Sequence, residues 1–150
     1  MKTKKDLKTV DRSEFTNTPY VKRVEKPWGY ELHFVKEDMP YMGKIMHINA
    51  GKRLSLQIHD QKLETYFLAS GECNLLVEDK DGGMITVSLE KGKGYTVLPG
   101  QKHRHQAVTG CDVVEVSTPE IGNTYRLEDD YSRPTETPGL REDPNRGWNG

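Results

Sequence analysis

The chain has little to tie it to a membrane, an oxidising compartment or a polyanion. No apolar run approaches the roughly 20 residues of a membrane span. The opening stretch MKTKKDLKTVDRSEF carries lysines but no apolar segment, so no secretory leader is expected. Two cysteines in 150 residues, Cys73 and Cys111, are too few for a disulfide scaffold, and they lack zinc-ribbon or CxxC spacing. They are expected to be reduced thiols in strands, with the cytoplasm as the compartment. A formal net charge of -1 sets up no bulk field towards nucleic acid or a membrane, and neither partner is expected. Also missing is any helical apolar stripe longer than two turns. Charged residues make up 30% and hydrophobic ones 33%, which suits one domain with a small core and polar ends.

What is present is alternation at period two. Candidate strands are residues 29–36, 44–50, 53–59, 64–70, 73–79, 84–90, 95–99, 103–109 and 112–118. Glycine-bearing turns separate them (NAGK, SGE, DKDGG, KGKG, PGQK, TGCD). Short strands so spaced indicate an all-β sandwich or barrel. LEDDYS, near the end, reads as a helical turn. Residues 1–18 are expected to form an N-terminal arm, residues 19–133 the barrel, and residues 134–150 an extended tail anchored by Trp148. Unpaired sheet edges favour pairing between copies, so a homodimer is expected, with the arm contributing.

The chemistry concentrates in LSLQIHDQKLET. Side chains alternate faces along a strand, which places Arg53, Ser55, Gln57 and His59 on one side. A four-residue loop then folds the next strand back and brings Glu64 to the same mouth. Further on, His103 and His105 stand two apart and point the same way. Two imidazoles, a carboxylate and an amide oxygen make a mixed N/O shell suited to Zn, Mn, Fe(II), Co or Ni. His33 and His47, each alone on its strand, read as chance occurrences. Trp28 reads as a plug for the barrel end.

Residues 51–71 follow G-x5-Q-x-H-x4-E-x6-G, from Gly51 through Gln57, His59 and Glu64 to Gly71. This resembles the first cupin motif, with Gln57 in the place of its first histidine. Residues 92–103, from Gly92 through Leu98 and Gly100 to His103, resemble the second motif, with Pro99 one residue late. That spacing selects His103 over His105. GKRLSLQIHDQKLET is similar to the signature of type II phosphomannose isomerases. KPWGYEL and YRLEDDYSR resemble the entry and the closing R-x-EDxYGR of the same domain, with Ser132 in the place of the glycine. The resemblance covers roughly residues 24–133.

The resemblance implies a double-stranded β-helix (jelly-roll, cupin) barrel as a single domain. It implies a divalent metal, Zn first, held by Gln57, His59, Glu64 and His103. It also implies aldose–ketose isomerisation of a mannose-6-phosphate-type sugar through an enediolate, with glucose-6-phosphate as a related substrate. Arg133 takes the place of the family's catalytic or phosphate-binding arginine. His105 and Lys62 are the candidates for the base, and Arg53 and Lys44 join Arg133 as candidates for phosphate. Two other functions fit the same residues: a carbohydrate-binding cupin without turnover, and a metal-dependent oxygenase.

Overall fold

The computed structural model describes residues 11–146 and 148. The first ten residues of the expected arm lie outside this range. Its remainder forms a 3-10 turn at Arg12–Glu14 and then an exposed extended stretch. Eleven strands follow among the described residues: β1 (Lys22–Lys26), β2 (Gly29–His33), β3 (Met42–Ile48), β4 (Leu56–His59), β5 (Glu64–Ser70), β6 (Cys73–Glu78), β7 (Met84–Ser88), β8 (Gly94–Val97), β9 (His103–Ala107), β10 (Cys111–Ser117) and β11 (Thr124–Glu128). A single helical turn, α1 (Pro138–Arg141), begins at a Thr137 cap whose hydroxyl accepts from the Leu140 amide.

The strands form two antiparallel sheets, ordered β1-β2-β3-β10-β5-β8 and β11-β4-β9-β6-β7. Crossings between the sheets make this a jelly roll. Nine of the strands match the nine read from alternation, with ends moved by a few residues. β1 and β11 were not anticipated. Both lie at sheet edges and carry few apolar residues, so periodicity hardly marks them. LEDDYS is not helical: β11 runs to Glu128, and a turn follows.

The interior has two parts. Trp28, Ile48, Leu68, Leu75, Val97, Val113 and their neighbours form an apolar core, and the buried free thiols Cys73 and Cys111 belong to it. Trp28, 2% exposed, fills the barrel as a plug would. Gly71 closes the turn after β5 at φ 79, where a Cβ would meet the Gly110 carbonyl at 2.3 Å, so a side chain is excluded there.

At one end the inward positions turn polar. Strand register lines up His33, Lys44, Glu115 and Tyr66 across β2, β3, β10 and β5. The facing sheet lines up Arg126, Gln57 and His103 across β11, β4 and β9. Burying such groups is costly unless each finds a partner, and the site lies between these two rows.

Candidate metal centre

β4 and β5 present His59 and Glu64 to each other across their connecting turn. His59 Nε2 and Glu64 Oε1 face each other in close approach, yet neither makes a hydrogen bond. His103 Nε2 lies 3.8 Å from the same carboxylate oxygen. These three buried residues bring ligand-capable atoms within 4.8 Å of one another. Lone pairs converging on one point without protons between them suit a cation.

The outer contacts fix which nitrogen is free. His103 Nδ1–H donates to the Gln101 carbonyl at 2.9 Å, which leaves Nε2 with its lone pair. His59 Nδ1 lies 2.9 Å from Thr124 Oγ1, a hydroxyl able to accept its proton and so leave Nε2 free as well. Burial, opposed by Glu64, pushes the His103 pKa down to about 4, so its ring is neutral, as a ligand must be. Burial alone would raise Glu64, but Lys62 and His59 hold it well below the usual carboxylate range. Gln57 Nε2 lies 3.5 Å from His103 Nε2, while Ser55 Oγ donates to Gln57 Oε1 at 3.1 Å. A half-turn of the amide exchanges these two atoms and aims the oxygen at the cluster. The donor set therefore fits a divalent cation.

The remaining candidates divide. Lys62, Lys44 and Arg133 are buried and line the cavity beside the cluster. Lys62 Nζ is 2.9 Å from Glu115; burial by itself lowers the lysine, but Glu115 together with Glu64 and Glu120 outweighs it and keeps it an ammonium. Arg133 pairs bidentately with Asp129, at 2.9 and 3.0 Å.

Arg53 is not among the cavity-lining residues. It pairs with Asp130 at 2.7 Å on the part-exposed surface. Regular alternation fails between them: Arg53 makes an isolated bridge, β4 starts only at Leu56, and Leu54 and Ser55 both line the cavity. His105 is also absent from the lining. Two residues along β9 carry it about 6.6 Å deeper, where it is fully buried with the Tyr66 ring edge-on at 4.2 Å. Burial and then His103 push it down to about 3, and both its ring nitrogens lack partners.

Several residues of the site were not singled out from sequence. Tyr66 donates its hydroxyl to Glu64 and lies 3.2 Å from His103 Nε2. Burial, with Glu64 second, pushes Glu115 up to about 7. Charged residues at inward positions of apolar strands, as in GYELH and VVEVS, were the available signal. Lys26, Arg126, Arg141 and Arg146 add four cations to the lining, and Glu31, Glu120 and Glu136 add carboxylates. Trp148, the expected anchor of the tail, is 59% exposed; Arg146, 6% exposed, is held instead by Glu120 and Glu136 at 3.0 Å each.

Glu31, His33 and Glu120 form a second group with ligand-capable atoms within 4.8 Å. His33 is therefore not a chance occurrence, since its Nε2 lies 2.9 Å from Glu31. The cation there is already supplied by Lys44, at 3.3 Å from Glu31 and 3.1 Å from Glu120.

The fold is that of known cupins. The chain superposes on oxalate decarboxylase from Bacillus subtilis with a TM-score of 0.64 at 17% identity, covering 75% of this chain and 32% of that one. Oxalate decarboxylase from Lactobacillus farciminis gives 0.64 at 19% identity, covering 75% and 37%. With this fold and both motifs in its sequence, the chain resembles the cupins and, among them, the mannose isomerases. It is 30% identical over 139 residues to the alginate biosynthesis protein AlgA of Pseudomonas aeruginosa, which covers 88% of this chain and 27% of that protein. The chain thus spans about a quarter of that relative's length. No protein-family model matches it. None of its described helices is long and apolar enough to cross a membrane.

Proposed function

We propose that the protein is a metal-dependent sugar-phosphate isomerase of the mannose-6-phosphate type. One observation carries the reading: the balance of charge beside the metal cluster. Seven cationic side chains line the cavity against four carboxylates of the surrounding network, Glu31, Glu115, Glu120 and Glu136. Asp129 takes up Arg133 and Glu64 faces Lys62, so one positive charge is left uncompensated among the side chains, to which a divalent ion at the cluster would add its own. That excess matches a phosphomonoester dianion, and arginine forks suit its oxygens.

A divalent ion held by Gln57, His59, Glu64 and His103, Zn first, would supply Lewis-acid stabilisation of the oxyanion that develops as a proton moves between neighbouring carbons. The chain's own residues do the rest. Lys62, an ammonium beside Glu115, stabilises negative charge rather than taking a proton. Glu115 lines the cavity between Lys44 and Tyr66 and is the carboxylate placed to carry the proton. Arg133, held flat by Asp129, orients the substrate's anionic end. A second reading, a sugar-binding cupin without turnover, draws on the sealed position of His105, which removes the histidine candidate for the base.

The test is conversion of mannose-6-phosphate to fructose-6-phosphate by protein loaded in turn with Zn, Mn, Fe, Co and Ni. Activity abolished by chelator and by His59→Ala is the expected result. Binding of the sugar phosphate with no conversion under any metal establishes the second reading. Oxygen consumption without isomerisation establishes an oxygenase.

A further inference from the structure

We propose that Arg126, Arg141 and Arg146 form an anion-binding subsite that Glu136 fills from within the chain, and that a phosphomonoester enters by displacing the Glu136 carboxylate. The class of ligand rests on the functional reading above. The subsite itself rests on geometry: Arg126 belongs to the stretch resembling the isomerases, while Glu136, Arg141 and Arg146 lie in a segment, residues 134–146, beyond it.

Glu136 is 6% exposed and surrounded by three guanidinium groups. Its Oε1 accepts from Arg141 Nε at 2.9 Å and from Arg146 NH2 at 3.0 Å, and its Oε2 accepts from Arg126 NH2 at 3.5 Å. One carboxylate does not satisfy this many donors. Arg126 Nε and Arg146 Nε are buried without any partner. Unpaired buried donors are rare and call for a reason. A phosphate presents three peripheral oxygens where a carboxylate presents two, so it can reach donors that Glu136 leaves idle.

Charge points the same way. Exchange of a monoanionic side chain for a dianion takes up the uncompensated positive charge. Position does as well. Arg126 lies opposite Gln57 in the β4–β11 pair, one inter-strand spacing of about 4.8 Å from a candidate ligand. A sugar with its reacting carbons at the metal cluster can therefore hold its anionic end among the arginines.

The segment's backbone joins the barrel through one bridge, in which Glu136 and Thr124 exchange hydrogen bonds of 2.9 Å each, and its other ties are side-chain bonds: Arg126 to the Pro134 carbonyl at 2.6 Å, Arg141 to the Gly122 carbonyl at 2.8 Å and Arg146 to Glu120 at 3.0 Å. Behind α1 lies a second cavity lined by His33, Tyr41, Pro119 and Pro138, which gives the segment room to shift.

The experiment is calorimetric titration of inorganic phosphate into full-length, metal-loaded wild type, Glu136→Gln and Arg146→Gln. Removing the internal competitor is expected to tighten phosphate binding by on the order of tenfold, while Arg146→Gln weakens it below wild type. Equal or weaker binding by folded Glu136→Gln overturns the proposal. Glu136→Asp, which withdraws the charge by one methylene and keeps the fold's ion pairs within reach, is expected to show a smaller gain; no gain there overturns it too. A hexose-phosphate isomerase without the Glu136→Gln gain keeps the functional reading and loses this subsite. The gain without isomerisation does the reverse.

Discussion

His59 and Thr124 face each other across the β4–β11 pair, and the threonine hydroxyl lies 2.9 Å from the imidazole Nδ1. The hydroxyl can accept from Nδ1–H, which is the tautomer that leaves Nε2 free for a cation. Partners of this kind tune metal affinity about 10–100-fold. Thr124→Val, which keeps the shape and removes the oxygen, is expected to lower metal affinity by a factor in that range with the fold intact. Competition against a chromophoric chelator measures it. Unchanged affinity would mean that His59 is not a ligand or needs no help.

Ser132 sits at φ 56, a left-handed conformation, at the position where the resembling isomerases have glycine. A side chain there costs about 1–2 kcal/mol, while glycine loses about 0.5–1 kcal/mol in chain entropy. Ser132→Gly is expected to stabilise the protein by about 0.5–1 kcal/mol, read from urea midpoints at constant m-value. The strain is borne by the turn in which Asp129 accepts from the Arg133 amide at 2.7 Å, so the arginine's position is expected to be retained.

Lys44 is a buried cation shared among Glu31 at 3.3 Å, Glu115 at 3.7 Å and Glu120 at 3.1 Å. Removing one partner of a buried ion network leaves uncompensated charge, at a cost of about 3–5 kcal/mol. Lys44→Met is expected to destabilise by that amount in denaturant titration. Adding Glu31→Gln should recover part of the loss, and a double-mutant cycle showing strict additivity would contradict the network.

Acid should unfold the protein through the same network. Burial by itself would raise Glu31, Glu120 and Glu136; Lys44 with Lys26 outweighs it for Glu31, Lys44 with Arg146 for Glu120, and Arg146 with Lys26 for Glu136. All three are held below their ordinary values. Their contribution is then complete above the unfolded carboxylate pKa of about 4.3 and is lost as pH falls further, through the depressed folded values. The melting temperature of chelator-treated protein is expected to fall steeply below about pH 4.3, and Glu120→Gln should flatten that slope. A slope unchanged by the substitution would assign acid unfolding to other groups.

Much was legible before folding because it is local. Alternation marks strands 64–70 and 112–118 at nearly their observed bounds, since each has one face in the core. The spacing from Gln57 to Glu64 carries the turn that brings His59 and Glu64 together, although β4 and β5 belong to opposite sheets and form a crossing rather than a hairpin. Arg53 shows the limit of that logic: the face rule holds only while the backbone stays extended, and it is broken at Leu54 and Ser55. His105 shows another. It shares a face with His103, but depth inside a barrel is not visible in a face assignment.

The sequence by itself determined nine of the eleven described strands and the two motifs, because short-range periodicity and turn chemistry act within a few residues, and the resemblance those motifs carry pointed to His59, Glu64 and His103. Only the tertiary structure decided the rest. Register across separate strands set Lys44 beside Glu115 and Thr124 beside His59. The return of residues 134–146 over the cavity brought Arg141 and Arg146 to Glu136. The first two contacts join residues far apart in the chain, the last are made where the segment packs over the cavity, and the energies of all of them depend on burial and charge pairing that exist only once the barrel has closed.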